Sequence, residues 1–188
     1  MQNEKRSPKR PIGWTKPYWA RAGWYVTAVA LSFLVSLLVV RFGCGVLLRA
    51  AIPAEPIVWR AVDTALDLLI TLGVALGVAS REGYDKRTSS VKTTVVGGLL
   101  FLLVQCPLAA VIPATAGASA STLAQLLYFG NASIFASSID KPPLALTLIG
   151  MVITDLCVLI PAMVAGERVG ANAYRQEQAA IQRESPHN

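Results

Sequence analysis

The sequence predicts an all-α, polytopic membrane protein with four transmembrane helices and both termini in the cytoplasm, an N-in/C-in topology. Three observations predict this fold class. Hydrophobic residues make up 54% of the 188-residue chain and charged residues only 15%, whereas about a quarter of the residues in a soluble domain are charged. The apolar residues fall in four blocks of membrane-spanning length. The lysines and arginines fall mostly in segments that this topology would leave on one side of the membrane.

The four apolar blocks are predicted as spans near residues 24–40, 57–80, 94–112 and 144–165. Each has about the 20 residues that a helix needs to cross a hydrocarbon core of about 30 Å. Together they define one transmembrane domain, residues 23–167, between a basic N-terminal tail, residues 1–22, that we expect to be disordered and a cytoplasmic C-terminal tail, residues 168–188. We expect the first block to be an uncleaved anchor, because its leader is long and no small-x-small cleavage site follows it.

The distribution of basic residues predicts the orientation. Most of the 17 lysines and arginines lie in the two tails and in the loop after the second span. Positive residues favour the cytoplasmic side, so we expect these three segments in the cytoplasm and the chain in the plasma membrane as a multi-pass protein. Gly83 is expected to end the second helix, with Arg81, Lys86 and Arg87 holding the following loop inside.

The net charge of +6 follows largely from this topology. We therefore expect the lipid bilayer around the spans and anionic lipid headgroups at the basic N-terminus, where each cation near the surface contributes about 1 kcal/mol. No nucleic-acid partner is expected, since the sequence has no helix-turn-helix or zinc-finger spacing. The only histidine is His187 and there is no C-x-x-C motif, so we predict neither a metal site nor a cofactor. A disulfide between Cys44 and Cys106 stays an open alternative.

A charged stripe in the second span is the main functional clue. At 100° per residue, five polar residues fall within one arc of about 100°: Arg60, Asp63, Thr64, Asp67 and Thr71. A charge at the bilayer centre costs about 2.5–3.5 kcal/mol on the insertion scale. The stripe is therefore expected to face other helices, a water-filled cavity or a partner protein. Arg60 and Asp63 are spaced to form an ion pair.

Two aspartates indicate an ion or proton site. Asp67 precedes Arg81, and Asp155 precedes Arg168, by nearly the same number of residues, so both carboxylates are expected about 20 Å from the inner boundary of their spans. Two carboxylates that face each other at matched depth would favour a shared proton or a bound cation. Further oxygen ligands would come from Gln105, Thr147 and Thr154.

The alternative interpretation of these residues is structural. Asp63 and Asp67 would then dock a partner subunit, and Asp155 would hydrogen-bond a neighbouring backbone or hydroxyl group. Gly73 and Gly77 form a G-x-x-x-G pair. Small residues at this spacing let helices approach closely, so we predict helix packing there.

No catalytic residue is predicted. Asp67 and Asp155 lack the G-x-G-D surroundings used by intramembrane proteases, and the only histidine lies in the terminal tail. We therefore expect a non-catalytic accessory or assembly subunit of a membrane complex, bound to another membrane subunit or to copies of itself. The alternative is an oligomeric small transporter or channel unit that uses Asp67 and Asp155 as its ion or proton site.

Overall fold

The structure, a computed structural model, describes residues 16–52, 55–86, 90–116 and 144–184. The described residues form helices and no strands. Four helical stretches are long and apolar enough to cross a membrane, so the predicted all-helical class with four candidate spans is confirmed. The basic tail is described from residue 16 onward, where it already belongs to the first helix.

The described chain is built from four long helical stretches. The first combines an α-helix, a π-helical stretch and a short α-helical turn, the second and third are single α-helices, and the fourth contains a π-helical turn. In chain order the elements are α1 (Lys16–Ser36), π1 (Leu37–Leu48), α2 (Arg49–Ala51), α3 (Pro56–Lys86), α4 (Val91–Ala116), α5 (Leu144–Thr154), π2 (Asp155–Leu159) and α6 (Ile160–Glu184).

Two helices extend well beyond the apolar blocks. α3 continues through Gly83, so the prediction that this glycine ends the helix is wrong, and α6 likewise extends past residue 165. The two extensions pack against each other: the rings of Tyr84 and Tyr174 meet edge to face with centroids 5.6 Å apart, and the Tyr84 hydroxyl donates to Glu177. These contacts give the extensions support that the hydrophobic pattern does not show.

Contacts between the helices define two hairpins that stack side by side. α1 lies antiparallel to α3, because Arg21 near the start of α1 meets Glu82 near the end of α3 while Ser36 meets Asp67. α4 lies antiparallel to α6 in the same way. Between the hairpins α1 runs parallel to α4, and α3 runs parallel to α6 in the most extensive contact. The starts of α1 and α4 therefore lie at the same end of the bundle as the last turns of α3.

Glycines set the close approach between α3 and α6. A Cβ atom at Gly170 would overlap the carbonyl oxygen of Ser80, and a Cβ atom at Gly166 would also overlap the α3 backbone. Gly83 fits against the backbone of Glu167 in the same manner. Gly166 and Gly170 form a G-x-x-x-G pair, the spacing that lets two helix backbones come into contact.

A widened turn interrupts the fourth helical stretch. In π2 the Ile160 N–H bonds to the carbonyl of Asp155, five residues earlier, and Pro161 follows directly. Proline has no N–H for the carbonyl four residues before it, here that of Cys157, and its ring crowds that carbonyl. Widening the helix just before Pro161 relieves this conflict. π-Helical turns of this kind occur frequently at functional sites.

The packed interior is small and the outer surface is apolar. Tyr25 is fully buried, stacks on Phe101 with ring centroids 5.9 Å apart and donates a hydrogen bond to the Thr94 carbonyl over 3.0 Å. Large apolar side chains such as Leu38 and Leu103 are exposed on the outer faces. Soluble monomers rarely expose large contiguous apolar patches, so this surface suits a lipid environment.

Candidate functional site

Eleven polar or charged side chains are buried in the described part of the chain. Seven of them lie away from the Arg21 end of the bundle, and we call these seven the polar layer. They come from all four helical stretches, each of which is otherwise mainly apolar. The polar layer consists of Ser32, Ser36, Asp67, Thr71, Gln105, Thr154 and Asp155. Burying a polar group costs free energy unless it is hydrogen-bonded, and burying a charge costs far more. The layer therefore requires an explanation beyond packing.

Asp67 is held against α1. The Ser36 hydroxyl donates a hydrogen bond to Asp67 Oδ1, and the Thr71 hydroxyl donates to the Asp67 backbone carbonyl over 2.8 Å. The first bond joins two helices and the second lies within α3. Asp67 and Thr71, the inner part of the charged stripe, thus face the chain's own interior.

Asp155 is the more unusual of the two aspartates. It is 4% exposed and begins the π2 turn. Its Oδ2 atom is buried and has no hydrogen-bond partner among the described residues, and the same holds for the hydroxyl of Ser32. The neighbouring Thr154 hydroxyl, by contrast, donates to the Gly150 carbonyl over 3.0 Å. A buried carboxylate oxygen without a donor is destabilising unless the group carries a proton or binds a cation.

The two aspartates lie at neighbouring levels of the bundle. Leu68, which follows Asp67, lines the same outer groove as Cys157 and Val158. Asp155 therefore lies within about one helical turn of the level of Asp67. That the carboxylates of Asp67 and Asp155 face each other stays a prediction. The side chain of Thr147, a third predicted oxygen donor, lies outside the described residues.

The outer part of the charged stripe has different surroundings. Asp63 forms an ion pair with Arg49, and their side chains are 23% and 43% exposed. The Arg49 guanidinium also lies over the Trp59 ring, 5.8 Å from its centroid. The side chains of Arg60 and Thr64 lie outside the described residues, so the Arg60–Asp63 pair stays a prediction.

The glycines predicted to pack helices lie on the outer face of α3. Gly73 and Gly77 are exposed, and a Cβ atom at either would have no neighbour within 4 Å among the residues described. Within the chain, the G-x-x-x-G pair that brings helices together is Gly166–Gly170. Packing of Gly73 and Gly77 against another chain stays a prediction.

A second buried cluster lies at the end of the bundle where α1 and α4 begin. Arg21 of α1 forms ion pairs with Glu82 of α3 and Glu167 of α6, with 2.5 Å between Arg21 Nη2 and Glu167 Oε1. Both glutamates are 2% exposed. We call these three residues the ionic cluster. They tie three helices together at one point.

Glu167 of the ionic cluster also contacts the start of α4. Its Oε1 accepts the Ser90 backbone N–H over 2.9 Å, and its Oε2 accepts the Thr94 hydroxyl. Ser90 directly precedes α4, and its carbonyl accepts the Thr94 N–H over 3.0 Å. Glu167 therefore caps the start of α4 from a different helix. A carboxylate in this place is favoured by the positive end of the helix dipole.

Sequence reasoning missed the ionic cluster. The charge distribution assigns Arg21 to the basic tail, while Glu82 and Glu167 lie just past the apolar blocks, where glutamates are ordinarily exposed. One signal was present: each glutamate is adjacent to a glycine, Gly83 or Gly166. A glycine next to a charge at the end of a span indicates that a second helix comes close at that point.

The interior contains more acidic than basic groups. The buried charged residue types in the described part of the chain are one arginine and four carboxylic acids: Arg21, Asp67, Glu82, Asp155 and Glu167. One guanidinium can neutralise the charge of only one carboxylate, and a buried charge without a partner is strongly unfavourable. A proton or a small cation would stabilise Asp155, whose Oδ2 atom has no hydrogen-bond partner among the described residues.

The atoms that could bind an ion in the polar layer indicate which kinds of ion would fit there. In the described ranges no group of three or more histidine, cysteine or acidic side chains is placed to hold a metal ion. All three cysteines, Cys44, Cys106 and Cys157, are free, so the Cys44–Cys106 disulfide is not formed. The polar layer offers carboxylate, hydroxyl and amide oxygens, which suit protons and hard cations rather than soft metals.

No protein-family model matches the chain, no curated protein matches it, and no solved structure matches it. The function is therefore inferred from the chemistry of the buried polar groups themselves.

Proposed function

We propose that this chain is a small multi-pass protein of the plasma membrane, with both termini in the cytoplasm, that works as an oligomeric transport unit for protons or small cations. The polar layer is its binding site, and Asp155 and Asp67 are the carboxylates that bind the ion. The observation that carries the proposal is Asp155 Oδ2, a buried oxygen atom with no hydrogen-bond partner among the described residues.

The cost of buried charge supports this role. An ionisable residue inside a span costs about 2.5–3.5 kcal/mol on the insertion scale, and such residues mark ion paths and proton relays in membrane proteins. Asp155 also begins a π-helical turn, a distortion that occurs frequently at functional sites. An apolar side chain would fill the same space without the penalty, so packing alone does not account for Asp155.

The transport unit is expected to contain more than one copy of the chain. Four helices enclose little space, and the interior of this bundle is filled by side chains such as Tyr25 and Met163. The outer faces are apolar, and the Gly73–Gly77 pair offers open space beside α3. A second copy packed at such a surface would help to enclose a path beside the polar layer.

Ion flux into liposomes containing the purified protein tests the proposal. We expect the parent protein to pass protons or a monovalent cation down a gradient. Asp155→Asn should reduce the flux to the leak of protein-free liposomes, and Asp67→Asn should lower it. Asp85→Asn is the matched control, because Asp85 is an exposed carboxylate on the same helix as Asp67. Parental flux in the Asp67→Asn/Asp155→Asn double variant would rule the proposal out.

A second candidate function is a non-catalytic accessory or assembly subunit of a membrane complex. The observation that favours it is the exposed Gly73–Gly77 pair, whose spacing fits close contact with a helix of another membrane subunit. Docking through Asp67 and Thr71 is not part of this candidate, because both are buried within the chain. Anionic lipid headgroups would bind the basic N-terminus under either function.

Native mass spectrometry after mild detergent extraction separates the two candidates. A foreign membrane subunit at fixed stoichiometry supports the accessory role. A homo-oligomer without such a subunit supports the transport unit.

A further inference from the structure

The ionic cluster separates the polar layer from one end of the bundle. Along α1, Arg21 comes first, the fully buried Tyr25 lies about one turn deeper, and Ser32 of the polar layer follows. Hydrogen bonds connect the first two levels, because the Tyr25 hydroxyl donates to the Thr94 carbonyl and the Thr94 hydroxyl donates to Glu167. The ionic cluster and Tyr25 therefore lie between this end of the bundle and the polar layer.

The ion pair described near the other end of the bundle is more exposed than the ionic cluster. The ion pair described there, Arg49–Asp63, has side chains that are 43% and 23% exposed. In the ionic cluster the side chains of Arg21 and Glu82 are 7% and 2% exposed. The charges of the ionic cluster are thus buried, whereas those of the Arg49–Asp63 pair are partly exposed to solvent.

A buried cluster of charges favours two discrete states. The attraction between the charges offsets their loss of water only when the geometry is close. Once the helices separate, the charges regain water, and positions in between have neither form of stabilisation. Packed interfaces that switch between two arrangements are the usual basis of conformational gating.

Glu167 makes its contacts with α4 at the smaller of the two interfaces that α6 forms with α3 and α4. α3 and α6 share an extensive, glycine-mediated contact, whereas the contact between α4 and α6 is much smaller. Glu167 of α6 holds Arg21 of α1 together with Ser90 and Thr94 at the start of α4. Release of Glu167 would remove its polar contacts with α1 and α4 at this end of the bundle, while the α3–α6 contact persists.

We propose that the ionic cluster is the cytoplasmic gate of this protein. In the closed state described here Arg21 bridges Glu82 and Glu167, and the polar layer is sealed from the cytoplasm. The gate opens when Arg21 and the start of α4 leave Glu167, so that water and ions reach the polar layer. This inference rests on the proposed transport function, since a gate requires a path.

Cysteine accessibility tests the gate without measuring transport. The starting variant carries alanine in place of Cys44, Cys106 and Cys157, together with Ser32→Cys as a reporter in the polar layer. In inside-out vesicles, a small water-soluble methanethiosulfonate should label this reporter slowly. Glu167→Gln should raise the labelling rate at least about tenfold, because hydrogen bonds to a charged group are lost. Glu82→Gln should have a smaller effect, since Glu167 pairs with Arg21 and also accepts hydrogen bonds from Ser90 and Thr94 at the start of α4.

Glu177→Gln is the matched control. Glu177 is an exposed residue of the same helix and its carboxylate accepts a hydrogen bond from Tyr84, so the parental labelling rate is expected. Thr94→Val provides a second, near-isosteric variant that removes one donor to Glu167, and it should raise the rate less than Glu167→Gln does. If Glu167→Gln does not fold, the labelling rate of Thr94→Val tests the proposal by itself.

Parental labelling in Glu167→Gln and Thr94→Val, with both proteins eluting as folded species, would overturn the gate. A rate in Glu177→Gln as high as in Glu167→Gln would also overturn it, because general loosening of the bundle would then explain both. The two proposals fail separately. If Glu167→Gln is labelled faster but no variant shows ion flux, the transport function is ruled out and the ionic cluster is still a barrier. If flux depends on Asp155 but the labelling rate does not change, the transport function stands and the gate is ruled out.

Discussion

Gly170 shows how a single missing side chain sets the distance between two helices. A Cβ atom there would overlap the Ser80 carbonyl oxygen and lie 2.8 Å from the Tyr84 nitrogen. Both atoms belong to the α3 backbone, so no side-chain movement can relieve the contact. We predict that Gly170→Ala lowers the free energy of unfolding by about 1–3 kcal/mol, the usual cost of overpacking, as measured by denaturant unfolding in detergent.

Gly23→Ala is the matched control for this prediction. Its Cβ atom would meet no described atom within 4 Å, and alanine favours a helix over glycine by about 0.5–1 kcal/mol. Gly23→Ala should therefore be neutral or stabilising in the purified protein. Equal losses in the two variants would show that Gly170 does not set the α3–α6 distance.

Some of the buried acidic residues could be predicted from the sequence and others could not. Asp67 and Asp155 could be identified because a carboxylate stands out inside an apolar block. Glu82 and Glu167 could not, because a charge at the edge of a block is ordinarily solvated. The sequence also contains two G-x-x-x-G pairs, and their spacing alone does not tell which one packs within the chain. That depends on the facing helix, which is a tertiary property.

At the scale of the element, hydropathy predicts the existence of the helices better than their length. The four predicted spans each fall within or overlap a helical stretch of the described chain. The helices are longer than the blocks because hydropathy reports the part that suits lipid, whereas tertiary contacts also stabilise polar turns. The Tyr84–Tyr174 contact beyond the apolar blocks of α3 and α6 is such a case.

The π-helical stretches are the main local departure from the sequence analysis. A helical wheel at 100° per residue is valid for α3, a regular α-helix, and there it places Asp67 and Thr71, which are both buried, on one face. The same helical wheel does not apply to π1 and π2, because each residue of a π-helix turns through a smaller angle about the helix axis. Pro161 is a visible cue to π2, but a proline in a helix indicates a distortion without specifying its form.

The contact between α1 and α3 depends on a hydrogen bond that a small substitution removes. Ser36→Ala deletes the hydroxyl that donates to Asp67 Oδ1. Interhelical hydrogen bonds in membrane proteins contribute about 0.6 kcal/mol on average and up to about 1.7 kcal/mol. Because Asp67 is buried, we predict a loss near the upper value in the free energy of unfolding, measured in detergent.

Thr27→Ala is the control for the same helix. The Thr27 hydroxyl is exposed and bonds to the Gly23 carbonyl within α1, so its removal should change stability by less than about 0.5 kcal/mol. A Ser36→Ala variant as stable as Thr27→Ala would mean that the Ser36–Asp67 bond does not help to hold α1 against α3.

At the scale of the whole molecule, the helix directions and the ionic cluster together constrain the topology. The start of α1, the end of α3, the start of α4 and Glu167 of α6 meet at the ionic cluster, so they lie on the same side of any membrane that the bundle crosses. The positive-inside rule independently predicts the cytoplasm for the basic segments next to these points. The bundle geometry and the charge pattern are therefore mutually consistent, although neither depends on the other.

Cysteine labelling in cells tests this topology. In a chain with its native cysteines replaced by alanine, single cysteines are introduced at Glu55, Lys92 and Arg175, all exposed positions. We predict that a membrane-impermeant maleimide labels Glu55→Cys in intact cells. It should label Lys92→Cys and Arg175→Cys only after the membrane is permeabilised.

Different labelling patterns would test the orientation of the bundle and the packing of its helices. The inverse pattern would keep the bundle but reverse its orientation, so the ionic cluster would close the outer side and could not be a cytoplasmic gate. Labelling of Lys92→Cys and Arg175→Cys from opposite sides would contradict the antiparallel packing of α4 with α6. The predicted pattern would place the ionic cluster between the polar layer and the cytoplasm. A barrier at that place is what an ion-binding protein needs if it is to load from outside before its inner gate opens.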